Sequence, residues 1–187
     1  MNEKNSKKQG GRYAWKLATK EVAYIAVFVA LLIASQLVLA VLPGVEIVTL
    51  LFSCFAFCFG VKRGVISAVV FSLLRQFVFS FSPSVLILYL IYYPLFCLSF
   101  GLLGKWKKRL LFILPFAIGL SCVLTACFTL LDDMITPLYY GFSAKATWAY
   151  FYYSLPVMAT QTACAGVTVA VGFIPISKAF QIIKNRR

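Results

Sequence analysis

Histidine is absent from the 187 residues, and Asp and Glu together number only 5. The first absence removes the commonest metal ligand, general base and neutral-pH proton relay. Neither a metal nor a cofactor is expected. Acids are too few, and too poorly placed, for paired-carboxylate chemistry. Asp132 and Asp133 are neighbours, so on a helix they point about 100° apart, and no paired glutamate or paired intramembrane aspartate motif occurs. The chain is therefore expected not to be an enzyme. Internal repeats of the kind that build secondary transporters are also missing.

What is present is apolar. Hydrophobic residues make up 62% of the chain and charged residues 12%, with a mean hydropathy of +0.91, more than a soluble core could hide. Six apolar segments run Val22 to Leu42, Ile47 to Val61, Gly64 to Phe81, Val85 to Leu103, Leu110 to Leu131 and Trp148 to Ile176. At roughly 20 residues per crossing, they predict an all-α integral membrane protein, a six-transmembrane-helix bundle. The first segment is longer than a signal-peptide core and is expected to remain as a span. Turn residues separate the segments at Pro43-Gly44, Gly60 to Gly64, Ser82-Pro83-Ser84 and Gly104-Lys105. Asp132 to Ala146 reads as one longer loop closing the fifth span. The 6 cysteines all lie within apolar segments, where a thiol packs as a small hydrophobe.

The net charge of +13 is distributed in four clusters that flank apolar runs, which argues for a membrane surface and against nucleic acid. If basic clusters are cytoplasmic, both termini and the loops at Lys62 and Lys105 lie inside. The loops near Glu46, Pro83 and Asp132 then lie outside. Only Arg75 and Lys145, of 18 basic residues, escape the cytoplasmic side. This N-in/C-in reading gives a basic segment over 1–20, a membrane domain over 21–177 and a basic tail over 178–187, in a bacterial plasma membrane.

Within the spans, strong polarity is confined to the outer half: Gln36, Glu46, Arg75, Gln76, Asp132 and Asp133, with Gln161 somewhat deeper. Arg75 lies roughly 16 Å beyond Gly64 along a helix, where a lipid-facing guanidinium costs about 2.5–3.5 kcal/mol, so it is expected to point inward. Two roles stand open for it, pairing with Glu46 or touching a ligand. Tyr89, Tyr92 and Tyr93 fall at i, i+3 and i+4 and serve either as a stacking face for a flat ligand or as packing. Glu46, Asp132 and Asp133 are equally readable as capped or solvated helix ends. Polarity on one side only suits a chain that captures a solute but does not pass it inward alone, since channels and ion-coupled carriers line the whole thickness.

Ala23, Ala26, Ala30 and Ala34 form a small-residue stripe on the first span, suited to close helix approach, within the chain or with a partner. This stripe, the basic N-terminal tail, Leu42-Pro43-Gly44-Val45-Glu46 leading into Val48-Thr49-Leu50-Leu51, Pro83 to Pro94, and Leu131-Asp132-Asp133 through Pro156 to Gln161 together resemble the S components of energy-coupling factor (ECF) importers. The resemblance implies an outward-facing vitamin pocket. It also implies docking of Ala26, Ala30 and Ala34 onto a membrane coupling subunit driven by two cytoplasmic ATPases. This chain carries no Gly-x-x-x-x-Gly-Lys-Ser/Thr motif, so ATP is hydrolysed elsewhere. The polar map offers Glu46, Arg75, Gln76, Tyr89, Tyr93, Asp132 and Gln161 as candidate substrate contacts. A competing class is the membrane scaffold similar to the rod-shape factor MreD, which shares size and topology and needs no pocket.

Overall fold

A computed structural model describes residues 3–39, 47–79, 81–106 and 109–185, with side chains from residue 19 onward, Leu39 excepted. The described residues form six helices and no strand: α1 Glu3–Leu39, α2 Ile47–Phe59, α3 Val61–Val78, α4 Pro83–Leu103, α5 Leu110–Tyr140 and α6 Ala144–Asn185. Pro43-Gly44 and Glu46 lie outside the described residues.

Local chemistry explains the boundaries. Gly60 alone separates α2 from α3; its φ of 89° lies where a Cβ is strongly disfavoured. Pro83 opens α4 at the first helical position, where its missing N–H costs nothing. Gly141 closes α5 at φ 64°, and Phe142 N–H donates to Pro137 O at 3.0 Å, the 6→1 bond of a Schellman stop. Ser143 then starts α6, accepting from the Ala146 N–H at 3.4 Å.

Two sequence expectations need correction here. Asp132 to Ala146 is not a loop: α5 continues through Tyr140, and only residues 141–143 connect it to α6. Asp132 and Asp133 consequently sit inside a helix and not at its end. The physical reason is that neighbouring hydroxyls engage both carboxylates, so the polar pair does not stop the helix. The turn expected over Gly60 to Gly64 is likewise only Gly60, because α3 begins at Val61.

Helix α2 is the axis of the bundle. It is apolar all round, and every residue from Thr49 to Phe59 is buried, as expected of a helix with no polar face. Around it stand α1, α3, α4, α5 and α6, packed in the ring order α1–α3–α4–α5–α6. Among the described residues, α1 and α6 make no backbone approach, so the ring is open between them. Cysteine thiols tie the axis to α6: Cys54 Sγ lies 3.7 Å from Phe173 O and Cys58 Sγ 3.5 Å from Ser177 O. All 6 cysteines are unbridged.

Four of the helices are long and apolar enough to cross a membrane: α1 over Thr19–Val38, α4, α5 and α6. Helix α2, with 13 residues, is about 20 Å long, short of a hydrocarbon layer of about 30 Å. Helix α3 carries Lys62, Arg63 and Arg75 within its 18 residues. Large apolar side chains are exposed around the bundle, among them Val27, Phe77, Leu111 and Val171 at 71%, 87%, 74% and 75%. A surface of this kind is at home in acyl chains and not in water.

The basic clusters share one end. Arg63 Nη2 bonds Glu21 Oε1 at 2.6 Å, and Lys184 Nζ donates to Cys58 O at 2.6 Å. Gly101 and Gly104 bring the end of α4 against Val61 and Phe57, placing Lys105 beside them. The Glu21–Arg63 pair is partly exposed, so screening holds its worth below about 1 kcal/mol. Its importance is positional, since it ties α1 to the α2–α3 turn.

Candidate functional site

The end of the bundle opposite the basic rim carries the polar residues. There α5 and α6 form a helical hairpin about the turn at residues 141–143, and side chains at similar distances from that turn face one another. Asp132 accepts two hydrogen bonds, from Tyr150 Oη to Oδ2 at 2.8 Å and from Thr136 Oγ1 to Oδ1 at 2.7 Å. Asp133 Oδ2 accepts from Ser154 Oγ at 2.6 Å. Thr129 Oγ1 lies 3.4 Å from Gln161 Oε1. Between the helices is a cavity of about 260 Å³ lined by Phe128, Thr129, Asp132, Tyr150, Tyr153, Ser154, Val157 and Gln161. Its floor and sides are aromatic and aliphatic; its polar groups converge from both helices.

Asp133 is the least comfortable group in this cluster. It is 6% exposed, and among the described residues its Oδ1 has no hydrogen-bond partner. Thr125 Oγ1, two turns earlier on the same face of α5, is also buried without one. Buried acceptors without donors are costly; neither residue lines the cavity, so that cost lies in the packed interior behind it.

The residues singled out in the sequence fall into three places. Asp132 and Gln161 meet in the α5–α6 cavity. Arg75 points inward, half-buried, with Nε donating to Gln36 Oε1 at 3.3 Å and its guanidinium lying 4.6 Å from the Tyr89 ring centroid and 4.9 Å from that of Phe79. Tyr89 in turn stands 5.9 Å from Phe128, a lining residue, so two aromatic rings separate Arg75 from the cavity. Gln76 is buried and turned away, its Oε1 accepting from the Ser82 N–H at 3.1 Å. Tyr93 lies in the core, with Phe52 at 4.9 Å and Phe71 at 5.4 Å; Tyr92 packs on Phe128 at 4.7 Å. Glu46, proposed as the partner of Arg75, lies outside the described residues; Gln36 and two rings hold the guanidinium.

Cation–π contacts contribute about 0.5–2 kcal/mol depending on desolvation. Arg75→Ala is therefore expected to lower the stability of the detergent-solubilised protein by about 2 kcal/mol. Arg75→Lys should recover part of the loss, because an ammonium keeps the charge but not the flat face. Thermal melting followed by tyrosine and tryptophan fluorescence checks both, and equal melting of all three proteins would remove the stacking role.

Sequence reasoning missed Tyr150, Ser154, Thr129 and Thr136 as members of the site. The signal was present: Gly141 followed by Ser143 is a helix stop and a helix start two residues apart. Folding the chain back at that point puts residue 132 opposite 150; the meeting of Thr129 with Gln161 does not follow from that reflection.

The apolar helices and lipid-compatible surface define a helical, multi-pass membrane protein. No family model, curated protein or solved structure matches the chain.

Proposed function

We propose that this protein is the solute-capturing membrane subunit of an importer, resembling an ECF S component, which binds a small heteroaromatic nutrient such as a vitamin from outside the cell. One observation carries the reading: opposite the basic rim, polar side chains of α5 and α6 converge around a cavity. Between the two ends stand the buried rings of Phe52, Phe71, Phe96, Phe100 and Phe173, a layer with no Asp, Glu, Lys or Arg among its buried residues. With the basic rim cytoplasmic and the six-helix bundle N-in/C-in, α2 reaching only part of the way across, the cavity lies on the outer side. At about 260 Å³ it is smaller than the roughly 300–1,000 Å³ typical of drug-sized ligands, which favours a solute of one or two rings.

Passage inward then requires other proteins. Ala26, Ala30 and Ala34 are exposed on the outer face of α1, a surface a helix of a coupling subunit can approach closely. Energy comes from separate ATPases, since the chain has no phosphate-binding loop of its own.

The test is mass spectrometry of small molecules released from protein purified in mild detergent. A heteroaromatic compound near one per chain is the expected result; no such compound, together with no saturable binding of any vitamin, defeats the proposal. In cells, Arg75→Ala should reduce uptake with normal morphology. Unchanged uptake with altered cell shape would favour an MreD-like scaffold instead.

A further inference from the structure

A larger cavity lies elsewhere. At the basic end, where the ring of helices is open between α1 and α6, a groove of about 520 Å³ enters the bundle and reaches the axial helix. Its walls are Ala23, Val27 and Leu31 of α1, Phe55 and Phe59 of α2, and Phe180 of α6, and its only charged lining residue is Lys20. Phe28 closes the back, stacked on Phe55 at 3.8 Å and edge-on to Phe180 at 6.1 Å.

We infer that this groove is a binding site for one anionic phospholipid of the surrounding bilayer, with an acyl chain in the aromatic cleft and the phosphate beside Lys20. Three features select this occupant. The groove opens sideways through the missing wall of the ring, onto a surface whose neighbours Val22, Val27 and Ile183 are exposed at 66%, 71% and 44%, so what reaches it comes from the membrane. Its charge is complementary to an anionic headgroup: Lys20 lines the groove and Lys184 follows the lining residue Ile183, while Arg63, beyond Phe59, is already paired with Glu21. Finally, an α-helix about 10 Å across fills roughly 420 Å³ per turn, so the groove holds little more than one turn of a protein helix. A single flexible hydrocarbon chain can follow its length. The inference stands on the membrane character of the chain and is independent of the nutrient-binding proposal.

Photolabelling of the full chain in mixed vesicles tests it. The probes are phosphatidylglycerol and phosphatidylcholine, each bearing a diazirine on one acyl chain, with labelled sites mapped by peptide mass spectrometry. Labelling by the phosphatidylglycerol probe is expected to concentrate on residues 20–31 and 180–183. It should exceed labelling by the phosphatidylcholine probe roughly fivefold, the effect of one cation near an anionic headgroup. Lys20→Gln should abolish that preference, and Val27→Trp, a change at an exposed position, should cut labelling of the groove by either probe. Labelling spread evenly around the bundle, equal labelling by both lipids, or a groove blocked by α1 of a second copy, seen as Val27→Cys disulfide dimers, would each overturn the assignment.

Discussion

Gly101→Ala is expected to lower the stability of the detergent-solubilised protein by about 3 kcal/mol, the upper part of the range for overpacking a filled core. A Cβ at Gly101 would stand 2.7 Å from Val61 Cγ2 and 2.8 Å from both Val61 N and Cα. Two of those three atoms are backbone, so no side-chain rotation relieves the clash. The backbone cannot retreat easily either, because Val61 begins α3 directly after Gly60, the sole link to the buried axis. For a chain of this size the loss corresponds to a melting point lower by roughly 6–12 °C. Gly119→Ala is the control: nothing lies within 4 Å of its Cβ position, and alanine is the better helix former by about 1 kcal/mol. If Gly101→Ala melts with the parent while Gly119→Ala does not rise, the close packing of α4 on the α2–α3 turn is wrong.

Asp132→Ala should produce the largest functional effect. It deletes the acceptor shared by Tyr150 and Thr136, and hydrogen bonds to a charged group are worth about 1.5–3 kcal/mol each. Loss of one such contact to the bound solute, or of the geometry it maintains, weakens binding by roughly 10- to 150-fold. Tyr150→Phe removes one hydroxyl and nothing else, and should give a smaller loss in the same direction. Both are measured as solute retained per chain after purification and, once the solute is known, by titration calorimetry. Full retention by both variants would move the binding site away from the α5–α6 cavity, whatever the fate of the importer reading.

The sequence made some of this legible and hid the rest for identifiable reasons. Lys62-Arg63, Lys105 and Lys184 could be assigned to one end because charges beside apolar runs must lie at a membrane face, and the contacts of Arg63, Lys184 and Gly104 bring them together. The inward aim of Arg75 followed from the cost of a bare guanidinium in lipid, but its companions did not. Glu46, the opposite charge weighed for it, lies outside the described residues; among those described, Gln36 and the rings of Tyr89 and Phe79 surround the group. Asp132-Asp133 was read as a helix end because two adjacent carboxylates ordinarily prefer water. Only the fold places Thr136 one turn on and Tyr150 and Ser154 across the hairpin, where their hydroxyls make the helix tolerable. Centrality of α2 was partly readable in its lack of any polar face, but the order of the helices around it was not.

The shortness of that axial helix has an architectural consequence. Its last turn is level with the end of α4, as Phe57 and Gly104 meet there, yet α2 has 13 residues against 21 in α4. It therefore ends about 10 Å before the first turn of α4. The molecule resembles a barrel stoppered from the basic side: the lower part is centred on α2, while among the described residues the upper part is walled by α1, α3, α4, α5 and α6 and filled by their own side chains, Gln76, Leu88, Tyr89 and Asp133 among them. Inserting one turn into α2 would drive its first residues about 5 Å into that layer.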